Sequence, residues 1–315
     1  MSLRRIITRA HRAWSSLKNP TGDPDVGSPF PPGHFYSPIP SLEDVERRHG
    51  TIFARDVELY GIELDLPGQL GMLETFASLS DDPAFYAPNR RKRYDIDNGS
   101  FTYDDAPILH YMMRLLKPKR IVEIGCGHSS ACMLDTSDLY LDGAVEFTFI
   151  DVNCDPLRTL LLEADHRRVE LLETPVQDVE PAVFDRLAPD DLLFVDSSHV
   201  LKIGSDVHSI LFDILPRLKK GVCIHFHDVR YPFQYPENLT RSRIYWNEAY
   251  VLRAFLQNND RFKIRFWLNY LLNANHPGIE QRASFLPLDK WDERFNESRG
   301  DYTGAGGSIY LMKTR

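Results

Sequence analysis

The sequence lacks the features that mark several classes of protein. No apolar run approaches the roughly 18 residues needed to span a bilayer, and no signal-peptide core precedes a small-residue cleavage site. Only four cysteines occur among 315 residues, and none has metal-ligand spacing with another. We therefore expect reduced, buried thiols in a cytoplasmic protein. Internal repeats are also lacking.

The chain has no excess of basic residues either. It contains 37 Lys and Arg against 45 Asp and Glu, which gives a formal net charge of -8. A chain of this sign is poorly suited to bind a polyanion, so we expect no nucleic-acid partner. The 43% hydrophobic content is ordinary for a globular protein, and the length allows one large domain with an extension.

Basic residues do cluster in one segment, residues 2–17. Apolar side chains recur there at helical spacing, while four arginines fall largely on the remaining faces. Such a basic amphipathic helix can lie peripherally on an anionic membrane surface, or it can dock on the protein. The chain is then rich in Pro and Gly to position 40, which is typical of an extended linker.

The chain is organised around residues 120–130, which read Arg-Ile-Val-Glu-Ile-Gly-Cys-Gly-His-Ser-Ser. A β-branched run ends there in Gly125 and Gly127, and serines that can cap a helix follow, so the pattern predicts strand, tight turn and helix. A dinucleotide site would have a third glycine where this chain has Ser130. The next predicted strand ends in Asp151, 26 residues after Gly125, about where a ribose-binding carboxylate is expected.

Strand-like and helix-like segments alternate through the rest of the chain. The segment after Asp151 has proline at a first helical position and apolar residues at 157, 160, 161 and 164, which predicts a crossover helix. This alternation indicates a parallel, doubly wound sheet. The further predicted strands are Val169 to Leu172, Leu192 to Val195, Val222 to Phe226, Phe262 to Leu268 and Gly307 to Met312.

The glycine turn and the strand ends resemble the successive motifs of class I S-adenosylmethionine-dependent methyltransferases. The matching stretches are Glu123-Ile-Gly-Cys-Gly127, Ile150-Asp151, Gln177-Asp178 and Phe194-Val-Asp196, and the resemblance extends from about residue 95 to the C-terminus. It implies an α/β fold, a seven-stranded, Rossmann-like methyltransferase sheet whose last strand runs antiparallel. It also implies S-adenosyl-L-methionine as cofactor, with its methionine part at Gly125 and Gly127, its ribose at Asp151 and its adenine near Asp178. The cofactor-binding residues expected from these motifs are Glu123, Gly125, Gly127, Asp151, Gln177 and Asp178.

The sequence patterns and the motifs together divide the chain into three expected parts. Residues 1–40 form the amphipathic helix and linker, residues 41–105 form a helical lid or collar, and residues 106–315 form the methyltransferase domain. Ser41 is expected to cap the first helix of the lid, because Ser41-Leu-Glu-Asp44 resembles a capping box.

Polar residues follow two neighbouring strands of the predicted sheet. Strand four ends in Asp196-Ser-Ser-His199 and strand five in His225-Phe-His-Asp228. Ligands of open α/β sheets bind at the carboxyl ends of the strands, so we expect these side chains to converge. We expect His225 to be a core histidine.

This pattern is similar to that of methyltransferases in the branch of macrocin-type sugar O-methyltransferases and cephalosporin hydroxylase-like proteins. It also resembles the catechol-type enzymes, in which acids at these positions bind magnesium. The similarity implies a site for Mg²⁺ or Mn²⁺ at Asp196, His227 and Asp228, although His227 departs from the acidic pattern. The expected catalytic residues are Asp196, His199 and His227, and the metal-free alternative makes one of the two histidines a general base.

The leading hypothesis is an S-adenosylmethionine-dependent O-methyltransferase. Its acceptor is a hydroxyl on a sugar, a glycan or a natural-product intermediate, and the chain can be an oligomer. The alternatives are a metal-dependent hydroxylase or hydrolase, and a non-catalytic cofactor-binding scaffold attached to a membrane by residues 2–17.

Overall fold

The structure, a computed structural model, describes residues 30–80, 93–273, 278–290 and 305–315. The predicted basic helix of residues 2–17 lies outside these ranges. Among the described residues, no helix is long and apolar enough to cross a lipid bilayer. The chain divides into two compact units, one formed by Met1–Ala54 with Pro236–Tyr245 and the other by Arg55–Tyr235 with Trp246–Arg315. The predicted boundaries at residues 40 and 105 stay predictions.

The smaller unit contains the short helices α1 (Leu42–Arg47), α2 (His49–Ile52) and α9 (Glu237–Arg241). As predicted, Ser41 caps α1, since its hydroxyl accepts a hydrogen bond from the backbone N–H of Asp44 at 3.2 Å. An ion pair between His49 and Glu237, 2.8 Å long, links α2 to α9.

The larger unit is built on a seven-stranded sheet. Its strand order is β3-β2-β1-β4-β5-β7-β6. Strands β1 to β5 pair in parallel, and β7 runs antiparallel to both of its neighbours. The predicted doubly wound sheet with a reversed seventh strand is therefore confirmed. The strands are β1 (Arg120–Ile124), β2 (Glu146–Asp151), β3 (Val169–Glu173), β4 (Leu192–Val195), β5 (Cys223–Phe226), β6 (Phe262–Trp267) and β7 (Ile309–Lys313).

Burial along the strands follows their place in the sheet. Every residue of β4 and β5, in the middle, is buried. The edge strand β6 alternates instead, with Phe262 and Ile264 buried and Lys263 and Arg265 exposed. Central strands of a parallel sheet are covered on both faces, so they read as continuous apolar runs, whereas an edge strand keeps a polar side.

Helices pack around this sheet. The main ones are α3 (Leu66–Leu79), α4 (Asp105–Leu116), α5 (His128–Tyr140) and α10 (Glu248–Leu256). Shorter ones are α6 (Asp155–Arg158), α7 (Ala182–Asp185), α8 (Asp206–Ser209), α11 (Leu268–Asn273) and α12 (Ile279–Arg282). Residues 210–217 continue α8 as a π-helical and then a 3₁₀ turn.

The prediction of a long crossover helix after β2 is wrong, because the helix found there is short. Helix α6 ends at Arg158, and only a 3₁₀ helix, Glu163–Arg167, follows before β3. The Asp165 carboxylate accepts the backbone N–H of Leu162 at 2.7 Å and pairs with buried Arg93. An aspartate that bonds nearby backbone in this way competes with the helix, and its distant arginine partner was not visible as a pattern in the sequence.

The parallel strands bring the predicted site residues to one edge of the sheet. Backbone hydrogen bonds extend the ladders past the strand ends, from Gly125 N–H to the carbonyl of Ile150 and from Asp196 N–H to the carbonyl of Ile124. The N–H of His227 likewise donates to Val195. The glycine turn and the two polar strand ends are thus held at a common edge by backbone hydrogen bonds.

Candidate active site

A cleft opens along this edge. Its larger part has a volume of about 460 Å³ and is lined by Gly125, Asp151, Gln177 and Asp196, among others. A second part, of about 360 Å³, is lined by Phe101 and by the glycine turn. The two parts share Gly125, Asp151 and Asp196, so they adjoin at the ends of β1, β2 and β4.

Gly125 makes the sharp turn at the end of β1. Its φ is 83°, in the left-handed region that favours glycine. A Cβ at this position would lie 2.0 Å from the carbonyl oxygen of Asp196. Gly127, in contrast, has an extended φ of 172° and open space where a Cβ would lie. The close approach of β1 to β4 therefore requires glycine at position 125.

Glu123 lies beneath this turn rather than in the cleft. It is fully buried, and its carboxyl oxygens accept hydrogen bonds from the hydroxyls of Ser129 and Ser130 at the start of α5. Ser130 also accepts the N–H of Gly127 at 2.9 Å, which completes the turn. Burial raises the pKa of Glu123 to about 8, against the lowering effect of the two serines. Glu123 thus supports the turn from below.

Asp151 links the second strand to the same turn. Its Oδ2 accepts the backbone N–H of Cys126 at 2.9 Å, and its Oδ1 accepts the N–H of Asn153 at 3.0 Å. The side chain remains partly exposed and lines both parts of the cleft. The carboxylate is therefore held at the position where the ribose was expected.

Gln177 and Asp178 differ in their relation to the cleft. Gln177 lines it, and its side-chain amide donates to the carbonyl of Gly204 at 2.7 Å, which closes one wall. Asp178 is exposed and does not line either part. Its expected role near the adenine stays a prediction.

The four polar residues expected to converge do so. Nε2 of His199 lies 3.3 Å from Oδ1 of Asp196 and 3.8 Å from Oδ2 of Asp228. Nδ1 of His227 lies 3.6 Å from the same Asp196 oxygen and 3.8 Å from the same Asp228 oxygen. Two carboxylates thus sit between two imidazoles.

Two members of this cluster have unusual backbone conformations. His199 has a φ of 58° and Asp228 a φ of 57°. Such angles are uncommon outside glycine, and strained backbone concentrates at functional sites. Both strand ends turn sharply here, and the turns bring the side chains of β4 and β5 together.

The cluster balances its charges internally. Burial alone would lower the pKa of His199, but hydrogen bonds with Asp196 and Glu248 outweigh it and raise that pKa to about 10. Burial would also lower the pKa of His227. The charges of Asp228 and Asp196 outweigh this effect and raise that pKa well above its usual value. The pKa of Asp196 is held low, because the two histidines outweigh its burial. Both imidazoles are therefore protonated near neutral pH.

His225 lies behind this cluster as a core histidine, as expected. It is fully buried, and its Nε2 is 2.6 Å from the hydroxyl of Ser308. Burial lowers its pKa to about 3, so it stays neutral. It has no contact with the cleft that the described residues line.

The predicted metal ligands, Asp196, His227 and Asp228, have the donor atoms that a divalent cation takes, but they are not arranged as a metal site. Within the described parts of the chain, no group of three or more His, Cys, Asp or Glu side chains is placed to hold a metal ion. Carboxylates and imidazole are nevertheless ligands of Mn²⁺, and carboxylates of Mg²⁺. Nδ1 of His227 is buried and makes no hydrogen bond to any described residue, although it faces Asp196 and Asp228.

Two acidic residues that the sequence analysis did not single out also reach the cluster. Glu248 Oε2 lies 2.9 Å from Nδ1 of His199, and Asp105 Oδ2 lies 3.4 Å from Nε2 of His227. Each is the first residue of a helix, α10 or α4. Acids are common at helix starts because they favour the helix dipole, so the sequence carried no signal of a second role.

The cysteines have the state that the sequence predicted. Cys126, Cys132, Cys154 and Cys223 are all free thiols, and all but the partly exposed Cys126 are buried. Burial raises the pKa of each thiol, and that of the fully buried Cys223 is about 12. These thiols are therefore protonated and poorly reactive.

Comparisons with known proteins agree with this architecture. A family model described as a methyltransferase domain matches residues 122–229, which include the glycine turn and both polar strand ends. An uncharacterised protein from Archaeoglobus fulgidus is 39% identical over 176 residues, covering 52% of this chain and 76% of that protein.

Solved structures are more distantly similar. The methyltransferase PaMTH1 of Podospora anserina is 19% identical with a TM-score of 0.38, covering 72% of this chain and 92% of its own. The O-methyltransferase TomG of Streptomyces achromogenes is 16% identical with a TM-score of 0.36, covering 86% of this chain and 96% of its own. Similarity at this level carries no information about the acceptor. On the family match, the motif order and the sheet topology, the chain contains a methyltransferase domain with the class I, Rossmann-like fold.

Proposed function

We propose that this protein transfers a methyl group from S-adenosylmethionine to a hydroxyl of a small molecule or glycan. The observation that carries the proposal is the position of Asp196. It lines both parts of the cleft and also touches His199 and His227. A cofactor in the cleft would therefore lie beside a cluster that can handle the acceptor proton.

The cleft suits the cofactor from one end to the other. The methionine part would lie against the turn at Gly125, where backbone can approach a ligand closely. The ribose hydroxyls would donate to the carboxylate of Asp151, and the adenine would lie toward Gln177. The expected contribution of Glu123 is then support of the turn, since its carboxyl group is occupied by two serines.

Methyl transfer makes modest demands on the protein. The acceptor oxygen attacks the methyl carbon, the bond from that carbon to sulfur breaks, and S-adenosylhomocysteine leaves while the hydroxyl proton is taken up. Alignment of the two reactants supplies most of the rate enhancement, and removal of the proton supplies the rest. The cleft would provide the alignment, and the polar cluster would have to provide a proton acceptor, which a protonated histidine is not.

We further propose that a divalent cation assists. Asp196, His227 and Asp228 would hold Mg²⁺ or Mn²⁺, which would stabilise the negative charge that develops on the acceptor oxygen. Without a cation, His199 or His227 would have to act as a neutral base, although the surrounding carboxylates keep both protonated. This contrast favours the cation, while either route uses the same cluster.

The test is calorimetry with S-adenosylmethionine, S-adenosylhomocysteine and NAD, followed by transfer of a labelled methyl group to sugars and catechols. We expect the first two ligands to bind, NAD not to bind, and label to appear on a hydroxyl. Failure to bind either sulfur ligand would refute the proposal. Redox turnover with iron and no methyl transfer would support the hydroxylase alternative, and binding without any transfer would support the scaffold.

Membrane contact through residues 2–17 is a separate proposal, supported by the sequence of that segment. Full-length protein should sediment with anionic vesicles in a salt-sensitive manner, while a chain lacking residues 1–17 should not. Equal sedimentation of the two forms would discard the membrane role, and cofactor binding should be the same in both.

A further inference from the structure

Each histidine of the cluster is held from behind by a buried acid. Glu248 and Asp105 are 1% and 5% exposed, so neither can act as an ordinary solvated helix-start residue. An ionised carboxylate only accepts hydrogen bonds, so the histidine nitrogen facing it must carry the proton. The two acids therefore determine which nitrogen of each ring is turned away from the cleft.

Glu248 is fixed at both of its oxygens. Oε1 accepts a hydrogen bond from the hydroxyl of Ser197 at 2.8 Å, and Oε2 accepts one from Nδ1 of His199 at 2.9 Å. The backbone N–H of Glu248 also donates to the carbonyl of His199 at 3.1 Å. On the other side, the ring of Trp246 lies 4.2 Å from the His199 ring, centroid to centroid. His199 can then present only Nε2 to Asp196 and Asp228.

Asp105 is held in a comparable way. Its Oδ2 accepts the backbone N–H of Gly307 at 3.2 Å and lies 3.4 Å from Nε2 of His227. Phe101 covers the His227 ring with its centroid 5.4 Å away. A Cβ at Gly307 would lie 3.2 Å from the Asp105 carboxylate and 3.3 Å from that of Asp228, so the glycine leaves room for both acids.

The two histidines consequently turn opposite nitrogens toward the same pair of carboxylates. His199 offers Nε2 and His227 offers Nδ1, and each is within 3.8 Å of Asp196 and Asp228. We propose that Glu248 and Asp105 are positioning residues, which fix the orientation of His199 and His227 and hold a proton on the ring nitrogen that faces each acid. This inference rests on the proposed function, because it describes how that site is assembled.

The test uses the full-length chain labelled with ¹⁵N-histidine. Two-bond ¹H–¹⁵N correlation spectra report which ring nitrogen carries a proton, and the His199→Gln and His227→Gln variants assign the signals. We expect slowly exchanging protons on Nδ1 of His199 and on Nε2 of His227. A slowly exchanging proton on the opposite nitrogen of either ring, with a rapidly exchanging one on the nitrogen that faces the acid, would overturn the proposal.

The variants Glu248→Gln and Asp105→Asn keep the shape of each side chain and remove its charge. Exchange of the held proton should accelerate by about tenfold or more, because a hydrogen bond to a charged group is worth at least that factor. Glu248→Gln should affect only His199, and Asp105→Asn only His227. Each variant therefore carries the other histidine as an internal control. Unchanged exchange at the targeted ring, or equal acceleration at both rings, would overturn the proposal.

A matched control is available in Glu237. It is also the first residue of its helix and also pairs with a histidine, His49, but the pair is exposed. Glu237→Gln should leave the signals of His199 and His227 unchanged. If Glu248→Gln does not fold, Ser197→Ala provides a milder change, since it removes a hydroxyl that donates to Glu248 and also accepts the backbone N–H of His199. It should accelerate exchange at His199 alone, and no acceleration there would count against the proposal.

Calorimetry with S-adenosylhomocysteine on the same samples separates this inference from the proposed function. The nitrogen assignment depends on contacts behind the histidines and needs no ligand. Wild-type protein that shows the expected proton positions but does not bind S-adenosylhomocysteine would refute the proposed function and support the positioning role. Binding of S-adenosylhomocysteine, together with the held proton on the opposite nitrogen of either ring, would refute the positioning role and leave the proposed function standing.

Discussion

Asp151 has two tasks at the end of β2. Its carboxylate holds the backbone of the glycine turn through Cys126 and that of the following loop through Asn153, while one side stays open to the cleft. A carboxylate fixed in this way can accept the ribose hydroxyls without first being ordered. The contacts also mean that its removal should loosen the turn.

We predict that Asp151→Ala weakens S-adenosylhomocysteine binding about 10- to 150-fold, the effect of losing hydrogen bonds to a charged acceptor. The matched control is Asp155→Ala, because Asp155 is an exposed acid four residues later that pairs with Arg158. That control should bind as the wild type does. Calorimetry measures both, and an unaltered affinity in Asp151→Ala would remove the ribose assignment.

Glu123 makes the stability of the fold depend on pH. Burial raises its pKa from 4.5 to about 8, so between these values the native state holds a proton that the unfolded chain has lost. The stabilising contribution is complete below pH 4.5 and disappears as the pH rises through 8. The contribution of Glu123 to the free energy of unfolding should therefore decrease as the pH rises.

Glu123→Gln tests this dependence, because glutamine keeps the shape and cannot ionise. Relative to the variant, the wild type should lose up to about 1.4 kcal/mol of unfolding free energy per pH unit between pH 5 and 8. Urea unfolding at several pH values measures the difference. If the unfolding free energies of the wild type and the variant change with pH in parallel, Glu123 ionises at its ordinary pKa.

At the scale of secondary-structure elements, one arginine joins three parts of the larger unit. The guanidinium of Arg93 pairs with Asp135 at 2.7 Å and Asp138 at 2.8 Å, both on α5. It also pairs with Asp165 at 2.5 Å, in the 3₁₀ helix before β3. Its side chain is 2% exposed, so the buried carboxylates of Asp135 and Asp165 are neutralised away from water, whereas Asp138 is partly exposed. The segment that begins at Arg93 leads to Phe101 in the cleft wall.

Arg93→Met should destabilise the fold by about 3 to 5 kcal/mol, because it leaves the buried Asp135 without its cation and the buried Asp165 with Arg168 alone. Arg217→Met is the control, since Arg217 forms an exposed pair with Asp185. Its unfolding free energy should stay close to that of the wild type. Chemical denaturation compares the two, and similar losses in both variants would contradict the structural role of the Arg93 pairs.

The elements that the sequence predicted well are those with a local cause. All seven strands were found within a few residues, because each is a short run rich in apolar or β-branched residues, and most have Gly, Pro or Asp close to an end. The crossover after β2 was predicted wrongly, although its leucines have helical spacing. Its conformation depends on Asp165 and Arg93, which lie 72 residues apart in the chain. Local patterns cannot report a contact of this kind.

At the scale of the whole molecule, the motif order predicted the topology and the position of the cleft. The resemblance implied an antiparallel seventh strand, which the sheet order confirms. Asp196, His199, His227 and Asp228 were predicted to meet because they follow adjacent parallel strands. Glu248 and Asp105 were missed because they come from helices, and helix-start acids ordinarily face water.

The last prediction concerns the charge balance of the site as a whole. Asp196 and Asp228 are at present neutralised by two protonated histidines, so a divalent cation at Asp196, His227 and Asp228 must displace the proton of His227. Mn²⁺ affinity should therefore increase with pH through the neutral range. Calorimetry in buffers of different ionisation enthalpy should show proton release upon binding.

Asp196→Asn and Asp228→Asn should each weaken Mn²⁺ binding by at least about tenfold, because each removes an anionic ligand. S-adenosylhomocysteine affinity should be largely retained in Asp228→Asn, since Asp228 does not line either part of the cleft. Asp213→Asn, on the exposed side of the segment after α8, serves as the control. If Mn²⁺ binds none of these proteins, and chelation leaves methyl transfer unchanged, the proton must go to His199 or His227. That histidine would then have to lose its own proton to solvent before it could accept the hydroxyl proton, so the rate would increase with pH.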